Sequence, residues 1–555
     1  MLNINGLTKK NKSGKGQQAD PAGPGSGVRL TIHLEQTLNN IITELGDSPD
    51  LRIRQVKLGE ESVVEAAAVH LNGLAKTETV NQFVMGSLLS ITDEMLKESN
   101  TAANNNLNDL ILNRALEIGE AQLQEDWNEV LLGILSGKTL ILIEGYDSGI
   151  MCETEGGEAR SVTEPSTQLV VRGPKDSFVE SLATNVSLIR RRIRSPKLRL
   201  EHVKIGAVTQ TDVVFMYIKD TADEKLVEEV RKRLQQINVD AIMESGYIEE
   251  LIQDKTFTPF PTINNSERPD VAATNLLEGR VVIVVDGTPF VLILPAVFTL
   301  FFQSASDYAQ RFDIAILMRI IRYISFIVLI LGPSVYIALT TFHYEMIPTT
   351  LLINLLSQRE NVPFPAFVEA ILMEGAFEII REAGVRMPRA VGQTVSVVGA
   401  LILGQAVVEA GIITPVMVIV VALTGIASFA IPAYNMAIAG RIIRFGFLIL
   451  AGMFGFYGIT LGLIVLVAHM NSLRTFGVPY LSPIVPLSSR GQKDAVLRLP
   501  LWALGTAEPA PATAQQGNIS EGKEITAGHE QNLSPKILDK TKGTQPHKKG
   551  KQDSE

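Results

Sequence analysis

The sequence contains few of the residues that bind metals or form disulfides, with one cysteine and seven histidines among 555 residues. A single thiol, that of Cys152, excludes an intramolecular disulfide and a multi-cysteine zinc site. The histidines are scattered, with no pair at metal-ligand spacing, so we expect neither a metal nor another cofactor. A net charge of −9 argues against a nucleic-acid partner, which would require a basic surface.

Charged residues are scarce over one long stretch, residues 287–487, although they make up 20% of the whole chain. Helices of about 20 apolar residues cross a hydrocarbon core that is about 30 Å thick. The sequence therefore predicts an all-α multi-pass transmembrane domain over residues 281–487. Residues 287–306 and 346–358 leave the number of spans open, because prolines interrupt the first and the second is short. Four segments are predicted to span the membrane: 323–342, 391–408, 412–431 and 445–468.

The region before this domain mixes the periodicities of strands and helices. Residues 51–58 (LRIRQVKL) alternate as a half-buried strand does, and residues 139–143 (TLILI) are typical of a buried strand. The pattern predicts two small mixed α/β subdomains, at 28–160 and 161–258, followed by a linker at 259–280 that contains Pro259, Pro261 and Pro269. The pair Asp286-Gly287 then predicts a hairpin turn between two apolar runs.

Both ends of the chain are polar. Residues 1–27 lack the apolar core of a signal peptide and predict a disordered arm, so we expect the N-terminal half to be cytoplasmic. Residues 488–555 predict a disordered polar tail. Arg319 and Arg322 precede the first predicted span and favour the same orientation. Arginines in nearly every later connection, including Arg441 and Arg444 before the last predicted span, leave the orientation of those loops open.

The run GILSGKT (residues 133–139) is similar to a phosphate-binding loop. That motif requires four residues between its first glycine and the Gly-Lys pair, with a strand before it and a helix after it. Here three residues intervene, a helix precedes and a strand follows, so we interpret the run as a turn. The soluble half shows no spacing of acids that implies acid/base catalysis, and we expect that the protein is not an enzyme.

Three glutamates, Glu374, Glu378 and Glu382, recur every four residues and share one helix face. Carboxylates next to membrane spans face protein or water rather than lipid. In an oligomer such a stripe forms rings of negative charge, which attract cations. Two interpretations stay open: an acidic vestibule, or an interfacial helix whose acids pair with Arg381, Arg386 and Arg389.

The predicted span at 391–408 carries small residues three or four positions apart, and such a face permits close helix approach. Its polar residues, Gln393, Gln405 and Glu409, do not form one stripe, and Glu409 could lie at the membrane surface. A second small-residue surface in the last span is predicted to serve helix packing (Gly452, Gly455, Gly458 and Gly462).

Several long runs resemble the A subunit of the GerA-type spore germinant receptors. They cover most of residues 30–490. The runs are VRGPKDSFVESLATNVSLIRRRIRSPKL (171–198), VVIVVDGTPFVLILP (281–295), SDYAQRF (306–312), PFPAFVEAILMEGAFEIIREAGVRMPRAVGQ (363–393), VGALILGQAVVEAGIITP (398–415) and FGVPYLSPIVPL (476–487).

The resemblance implies a location in the inner membrane of the endospore, with the soluble half in the cytoplasm. It implies action with a transporter-like B subunit, which binds the germinant, and a lipoprotein C subunit. It also implies a homo-oligomeric ring in the lipid bilayer that conducts monovalent cations when nutrient binding opens it. On this sequence the pore that the resemblance implies would form mainly from residues 391–408, with Ser396, Gly399 and Ala400 facing the axis or a neighbouring helix. The candidate residues of that ion path are Glu374, Glu378, Glu382, Gln393, Ser396, Gly399, Ala400 and Glu409.

Alternative functions remain open at this stage. A related stage V sporulation paralogue would amplify ion release without its own germinant, although the extended tail after Leu487 favours a receptor subunit. A secondary transporter would contain two matching halves with broken helices, and no such repeat is visible. A non-conducting scaffold that assembles the receptor would share every feature described so far.

Overall fold

The computed structural model describes residues 30–59, 63–92, 107–112, 120–156, 165, 167–168, 170, 172–386, 404–487 and 492–500. Residues 30–156 contain a first mixed α/β subdomain. Its helices are α1 (Leu34–Leu45), α2 (residues 77–89, π-helical over Val80–Met85), α3 (Leu107–Leu110) and α4 (Trp127–Ser136). Its strands are β1 (Leu51–Leu58), β2 (Val64–Leu71), β3 (Ala121–Gln124), β4 (Thr139–Ile143) and β5 (Gly149–Cys152).

The five strands form one antiparallel sheet in the order β1-β2-β4-β5-β3. All five residues of β4 are buried because it lies at the centre, where helices cover both faces. A strand covered on both sides has no polar face, which explains its continuous apolar run. The edge strand β1 keeps the alternation of a half-buried strand.

Residues 172–294 contain a second subdomain with one antiparallel sheet in the order β6-β7-β9-β10-β8. Its helices are α5 (Leu182–Arg192), α6 (Glu224–Gln236), α7 (Ser245–Ile252) and α8 (Pro269–Leu277). Its strands are β6 (Leu198–Ile205), β7 (Thr211–Ile218), β8 (Asn264–Ser266), β9 (Val281–Val285) and β10 (Val291–Leu294).

The two subdomains share one architecture. Each begins with a helix and a β-hairpin, continues through two helices, a strand and a helix, and closes with a second β-hairpin. In both, a glycine with positive φ ends the helix before the closing hairpin, Gly137 in the first and Gly279 in the second. The run GILSGKT is therefore the C-terminal turn of α4 before β4, as the sequence predicts, because glycine adopts this conformation without strain.

The second subdomain corrects the predicted domain boundaries. The predicted linker at 259–280 contains β8 and α8, and residues 281–294, assigned to the membrane domain, form two strands of the second sheet. Pro269 is the first residue of α8, a position where proline favours a helix because its missing N–H has no intrahelical partner. The hairpin around Asp286-Gly287 is present where the sequence predicts it.

The C-terminal half is helical after a 3-10 turn at Phe298–Phe302. Its helices are α9 (Ser306–Ala309), α10 (Phe312–Thr341), α11 (Thr349–Arg359), α12 (Ala366–Arg386), α13 (residues 404–409), α14 (Pro415–Phe429) and α15 (Tyr434–Ser472). Two of them, α10 and α15, are long and apolar enough to cross a membrane, and α14 is apolar but shorter. Residues 391–403 of the second predicted span lie outside the described residues.

Helix α15 is a helical hairpin rather than one rod. Gly455 has φ +59° and ψ −137°, which breaks the helix into residues 434–454 and 456–472. A Cβ on Gly458 would lie 2.2 Å from the Leu450 carbonyl oxygen, and one on Gly462 would lie 2.8 Å from the Phe447 ring. The two arms therefore run antiparallel in close contact, and the predicted role of this glycine surface in helix packing is confirmed.

The packing partners fix the directions of the other helices. Gly440 faces Phe326 and Leu329, whereas Gly455 faces Phe342 and His343, so α10 and the first arm of α15 run parallel. Phe367 contacts Gly452, near the end of that arm, so α12 runs the opposite way. Helices α12 and α14 run parallel. Glu369, near the start of α12, contacts the residue before α14, and Arg381, near the end of α12, contacts the last turn of α14.

These directions define two ends of the helical half. The base is the end next to the second α/β subdomain, where Thr475 donates a hydrogen bond to the Thr262 carbonyl. The tip is the opposite end, around Phe342 and Gly455. Part of the predicted tail also belongs to the base, since residues 492–500 pack there and include the short helix α16 (Gln492–Ala495).

Candidate functional site

The helical half contains ionic side chains in its interior. Glu374 of α12 and Arg444 of α15 are 0% and 1% exposed. Arg444 lies ten residues after Tyr434 and eleven before the break at Gly455, about 15 Å and about 17 Å from the two ends of its arm. The pair therefore lies midway along an apolar helix, where an ionisable residue indicates a functional site.

Four side chains form this ion-pair cluster: Glu374, Glu378, Arg441 and Arg444. Nη2 of Arg444 lies 2.7 Å from Oε2 of Glu374 and 3.0 Å from Oε1 of Glu378. Nη1 of Arg441 donates to Oε2 of Glu378 at 2.6 Å. Glu378 thus bridges both arginines, and the cluster links α12 to the first arm of α15.

Glu374 is held by charge rather than by aligned hydrogen bonds. Although it lies close to Arg444, neither of its carboxylate oxygens accepts a hydrogen bond with good geometry from any described residue. A buried carboxylate without such donors is costly, and removal of its one counter-ion would leave it uncompensated. The cluster is therefore sensitive to any relative movement of α12 and α15.

Arg381 lies one helical turn from Glu378 but has different partners. It donates to Oγ of Ser428 at 2.6 Å, and its guanidinium lies 5.0 Å and 4.8 Å from the ring centroids of Phe377 and Phe429. Contacts with aromatic faces suit a guanidinium in apolar surroundings. These contacts connect the base end of α12 with the last turn of α14.

Glu369 connects the same two helices at the tip. Its Oε2 accepts hydrogen bonds at 2.9 Å from the N–H and the hydroxyl of Thr414, the residue before α14 begins. Its Oε1 lies 3.7 Å from Arg359. A carboxylate at a helix N-terminus satisfies free N–H groups and interacts favourably with the helix dipole.

Glycines allow these helices to approach closely enough for the ion pairs to form. The Phe377 ring packs against Gly425 of α14, where a Cβ would lie 2.5 Å from the ring. The Phe367 ring packs against Gly452 in the same way. Small residues at such contacts are typical of helices that pack in lipid.

The structure separates the three glutamates of the predicted stripe. Glu374 and Glu378 lie in the ion-pair cluster, whereas Glu382 is exposed and pairs with Arg386 on its own helix at 2.7 Å. Glu409 is exposed at the tip end and accepts a hydrogen bond from Gln405 at 3.0 Å. Of the candidate residues, Gln393, Ser396, Gly399 and Ala400 lie outside the described residues.

Sequence reasoning missed the partners of the stripe. Arg441 and Arg444 were interpreted as residues of a connecting loop, but they lie within the first arm of α15. A signal was present, since two arginines three positions apart in an otherwise apolar stretch complement two glutamates four positions apart on another. Charges in such stretches occur mostly in pairs.

The turn at GILSGKT borders a surface groove of about 270 Å³ in the first subdomain. Its lining includes Glu120, Glu129 and Glu153, with Lys138 in an ion pair with Glu153 at 2.9 Å. Three carboxylates and one compensated lysine disfavour a phosphate group. The groove therefore does not strengthen the similarity to a nucleotide site.

Comparison with known proteins identifies the family. Residues 39–509 match the family described as "Bacillus/Clostridium GerA spore germination protein". The chain belongs to this family. It is 49% identical over 498 residues to Spore germination protein KA of Bacillus subtilis (strain 168), a match that covers 90% of each chain. The predicted resemblance to the GerA family is thereby confirmed.

Two further matches are a second full-length relative and a solved structure of an N-terminal domain. The chain is 39% identical over 493 residues to the Uncharacterized membrane protein YfkQ of Bacillus subtilis (strain 168), covering 89% of this chain and 93% of the relative. The crystal structure of the N-terminal domain of the A subunit of the Bacillus megaterium spore germinant receptor GerK3 is 38% identical, with a TM-score of 0.37. That match covers 49% of this chain and 98% of the solved one.

Proposed function

We propose that this GerA-family chain is the A subunit of a nutrient-germinant receptor in the inner membrane of the endospore. It crosses the membrane several times and acts with a transporter-like B subunit and a lipoprotein C subunit to trigger germination. Membership of the GerA family is the observation that carries this proposal. The membrane assignment draws further support from the name of its relative YfkQ.

The surface of the helical half supports insertion in lipid. Large apolar side chains point outward along three helices, for example Ile327 of α10, Ile426 of α14 and Ile464 of α15, which are 57%, 68% and 62% exposed. A soluble protein rarely exposes a continuous apolar surface of this extent. Backbone hydrogen bonds within the helices satisfy the polar groups that lipid cannot.

The distribution of arginine supports a cytoplasmic α/β region. Arg311, Arg319, Arg322, Arg386 and Arg474 lie near the base, beside the α/β region. At the tip, the described residues include one arginine, Arg359, against four glutamates, Glu345, Glu360, Glu369 and Glu409. Positive charge accumulates on the cytoplasmic side of membrane proteins. The distribution therefore favours an orientation with the base in the cytoplasm and the tip on the other side of the membrane.

In this proposal, several copies surround a path for monovalent cations. Glu374 and Glu378 pair with Arg444 and Arg441 in the interior, so Glu382, which is exposed and pairs with Arg386 on its own helix, is the member of the stripe that a cation can reach. The ion-pair cluster would couple α12 to α15, and germinant binding would shift the receptor toward the state that binds the germinant more tightly. A path lined by residues 391–408 stays part of the proposal.

A non-conducting, signal-transducing scaffold is the second candidate. The pairing of Glu374 and Glu378 within one chain favours it, since these carboxylates do not face an open path in this structure. A scaffold would relay the state of the B subunit through the same helices without passing ions. Ion flux separates the two candidates.

The decisive experiment measures potassium flux through the receptor in liposomes. The purified chain, assembled with its B and C partners, should pass potassium on germinant addition. Glu382→Lys should lower that flux several-fold, because it replaces an attracting charge by a repelling one. Glu360→Lys, an exposed acid at the tip, is the matched control and should leave the flux within about twofold.

Two results would reject the conducting model. An assembled receptor without flux above protein-free liposomes would support the scaffold. Equal flux in the Glu382→Lys and wild-type receptors would remove Glu382 from the path. Germination of spores that carry each variant, followed as potassium release, provides the same comparison in the native membrane.

A further inference from the structure

A second group of buried charges lies at the base, where α10 begins. Arg319 is 0% exposed, and Asp307 and Arg322 are also buried. Oδ2 of Asp307 accepts hydrogen bonds from Nε of Arg319 at 3.1 Å and from Nη1 of Arg322 at 2.7 Å. This local group thus has two guanidinium charges and one carboxylate, and buried charges of this kind require compensation.

The missing carboxylate comes from the other end of the chain. Oδ1 of Asp494 lies 2.9 Å from Nη1 of Arg319, and its Oδ2 accepts a hydrogen bond from the hydroxyl of Tyr308. The backbone oxygen of Asp494 accepts hydrogen bonds from Gln303 at 2.8 Å and from Arg319. With Asp494 in place, Arg319 and Arg322 share two carboxylates, those of Asp307 and Asp494.

The residues after Asp494 continue the contact. Ala495 is 3% exposed, and its carbonyl oxygen accepts a hydrogen bond from the Tyr323 hydroxyl at 3.3 Å. Arg498 is 3% exposed and donates to the Gln310 carbonyl at 3.1 Å, and its guanidinium lies 5.2 Å from the Tyr308 ring centroid. Leu497, between them, faces solvent and is 44% exposed.

Tyr308 forms the wall between Asp494 and Arg498. Burial, followed by the charge of Asp494, raises the pKa of its hydroxyl. The hydroxyl therefore keeps the proton that it donates to Asp494 at physiological pH. The contact between the pocket and the segment is a charge-assisted network rather than a single ion pair.

We propose that the pocket formed by Gln303, Asp307, Tyr308, Arg319 and Arg322 is an intramolecular binding site for residues 492–500, which we call the C-terminal strap. The bound strap fixes the start of α10 to the base by supplying the second carboxylate. Its release leaves Arg319 with half of its counter-charge and frees the start of α10. This switch concerns the chain alone and depends neither on conduction nor on a partner subunit.

The chemistry of the strap suits a reversible contact. Its one helix has four residues, too few to be stable alone in water. Its contact depends on Asp494, Ala495 and Arg498, while Leu497 is exposed. The carboxylate of Asp494 is the group that the released pocket, with its two guanidinium groups, would bind again.

Cysteine labelling tests the proposal on the full chain. Burial raises the pKa of the single native thiol, Cys152, to about 12, and Cys152→Ser gives a background without thiols. In that background a maleimide should modify Ala495→Cys at least about tenfold more slowly than Leu497→Cys, because docking buries only the first position. Asp494→Asn should raise the rate at position 495 several-fold and leave the rate at position 497 unchanged.

A thermodynamic cycle provides a second readout that does not depend on a cysteine at position 495. Asp494→Asn and Arg319→Met should be strongly non-additive in thermal unfolding, since both remove the same contact. Asp313→Asn, an exposed acid that pairs with Arg311 at 3.2 Å, should be additive with Arg319→Met. Equal labelling at positions 495 and 497, or additive effects of Asp494→Asn and Arg319→Met, would overturn the proposal.

Discussion

The α/β region and the helical half place charged and apolar side chains in opposite ways. In the α/β region, β4 and β9 are buried apolar strands, whereas the charges of α6 lie largely at the surface. In the helical half, Ile426 faces outward while Glu374 and Arg444 face inward. The first arrangement suits water and the second suits lipid, so the proposed insertion of the helical half in a membrane accounts for the difference.

The largest expected difference between the two regions concerns their ion pairs. Arg444→Met leaves Glu374 buried without a counter-ion and should cost about 3–5 kcal/mol. Arg231→Met, in the α/β region, breaks a half-buried pair with Glu201 and should cost about 1 kcal/mol. Thermal unfolding in detergent micelles measures both, and equal costs would show that the ion-pair cluster is not shielded from solvent.

A charge introduced on the outer surface tests directly whether that surface faces lipid or water. Ile426→Arg puts a guanidinium on the lipid-facing side of α14 and should cost about 2.5–3.5 kcal/mol of membrane insertion. Val208→Arg changes a residue of the α/β region that is 77% exposed and should alter stability by less than about 0.5 kcal/mol. The fraction of each variant that resists alkaline extraction from membranes measures insertion. Full insertion of Ile426→Arg would contradict lipid contact at α14.

The turns of the two regions can be compared at two glycines with positive φ, Gly455 in the hairpin of α15 and Gly287 between β9 and β10. At Gly455 an added Cβ would lie 2.9 Å from both Phe342 and His343, whereas at Gly287 it would meet nothing within 4 Å. Gly455→Ala should therefore cost about 2–3 kcal/mol, from backbone strain and overpacking. Gly287→Ala should cost about 1 kcal/mol from strain alone. Thermal unfolding ranks the two, and a neutral Gly455→Ala variant would contradict the tight hairpin of α15.

The smallest effect is a pH dependence confined to the α/β region. Burial, followed by the charge of Glu244, raises the pKa of Glu249 from 4.5 to about 7. The folded state thus holds this proton more tightly than the unfolded chain, and stability is lost as the pH rises from about 4.5 through about 7. Glu249→Gln should therefore be near neutral at pH 4.5 and stabilise by on the order of 2 kcal/mol at pH 8.

The exposed neighbour Glu250 is the control for this prediction. Glu250→Gln should change the unfolding midpoint by the same small amount at both pH values. If Glu249→Gln shows no more pH dependence than Glu250→Gln, burial does not perturb the Glu249 carboxyl.

The sequence predicted the elements whose patterns are local. The strands β1 and β4 match their predicted residues because alternation and short apolar runs are recognised over a few positions. The second subdomain was cut short because Pro259, Pro261 and Pro269 are typical of a linker. Residues 172–294 are recognised as one subdomain because their helices and strands follow the same order as those of the first subdomain. No single motif shows this repeat.

Long-range pairings were not predictable in the same way. The regular spacing of Glu374 and Glu378 marked a functional helix face, but nothing local shows that Arg441 and Arg444 lie opposite. The hairpin of α15 was also hidden, since Gly455 stands in a charge-free stretch that fits a straight helix equally well. The ion-pair cluster joins residues more than sixty positions apart, and the hairpin contacts join residues on opposite sides of the break at Gly455.

The most direct test of the central claim is the sidedness of two engineered cysteines in a Cys152→Ser background. Glu345→Cys lies at the tip and Lys232→Cys lies on α6 of the α/β region, and both native residues are exposed. In intact protoplasts an impermeant maleimide should modify position 345 at once and position 232 only after the membrane is permeabilised. Equal modification of both positions before permeabilisation would contradict a helical half that crosses the membrane with its arginine-rich base inside.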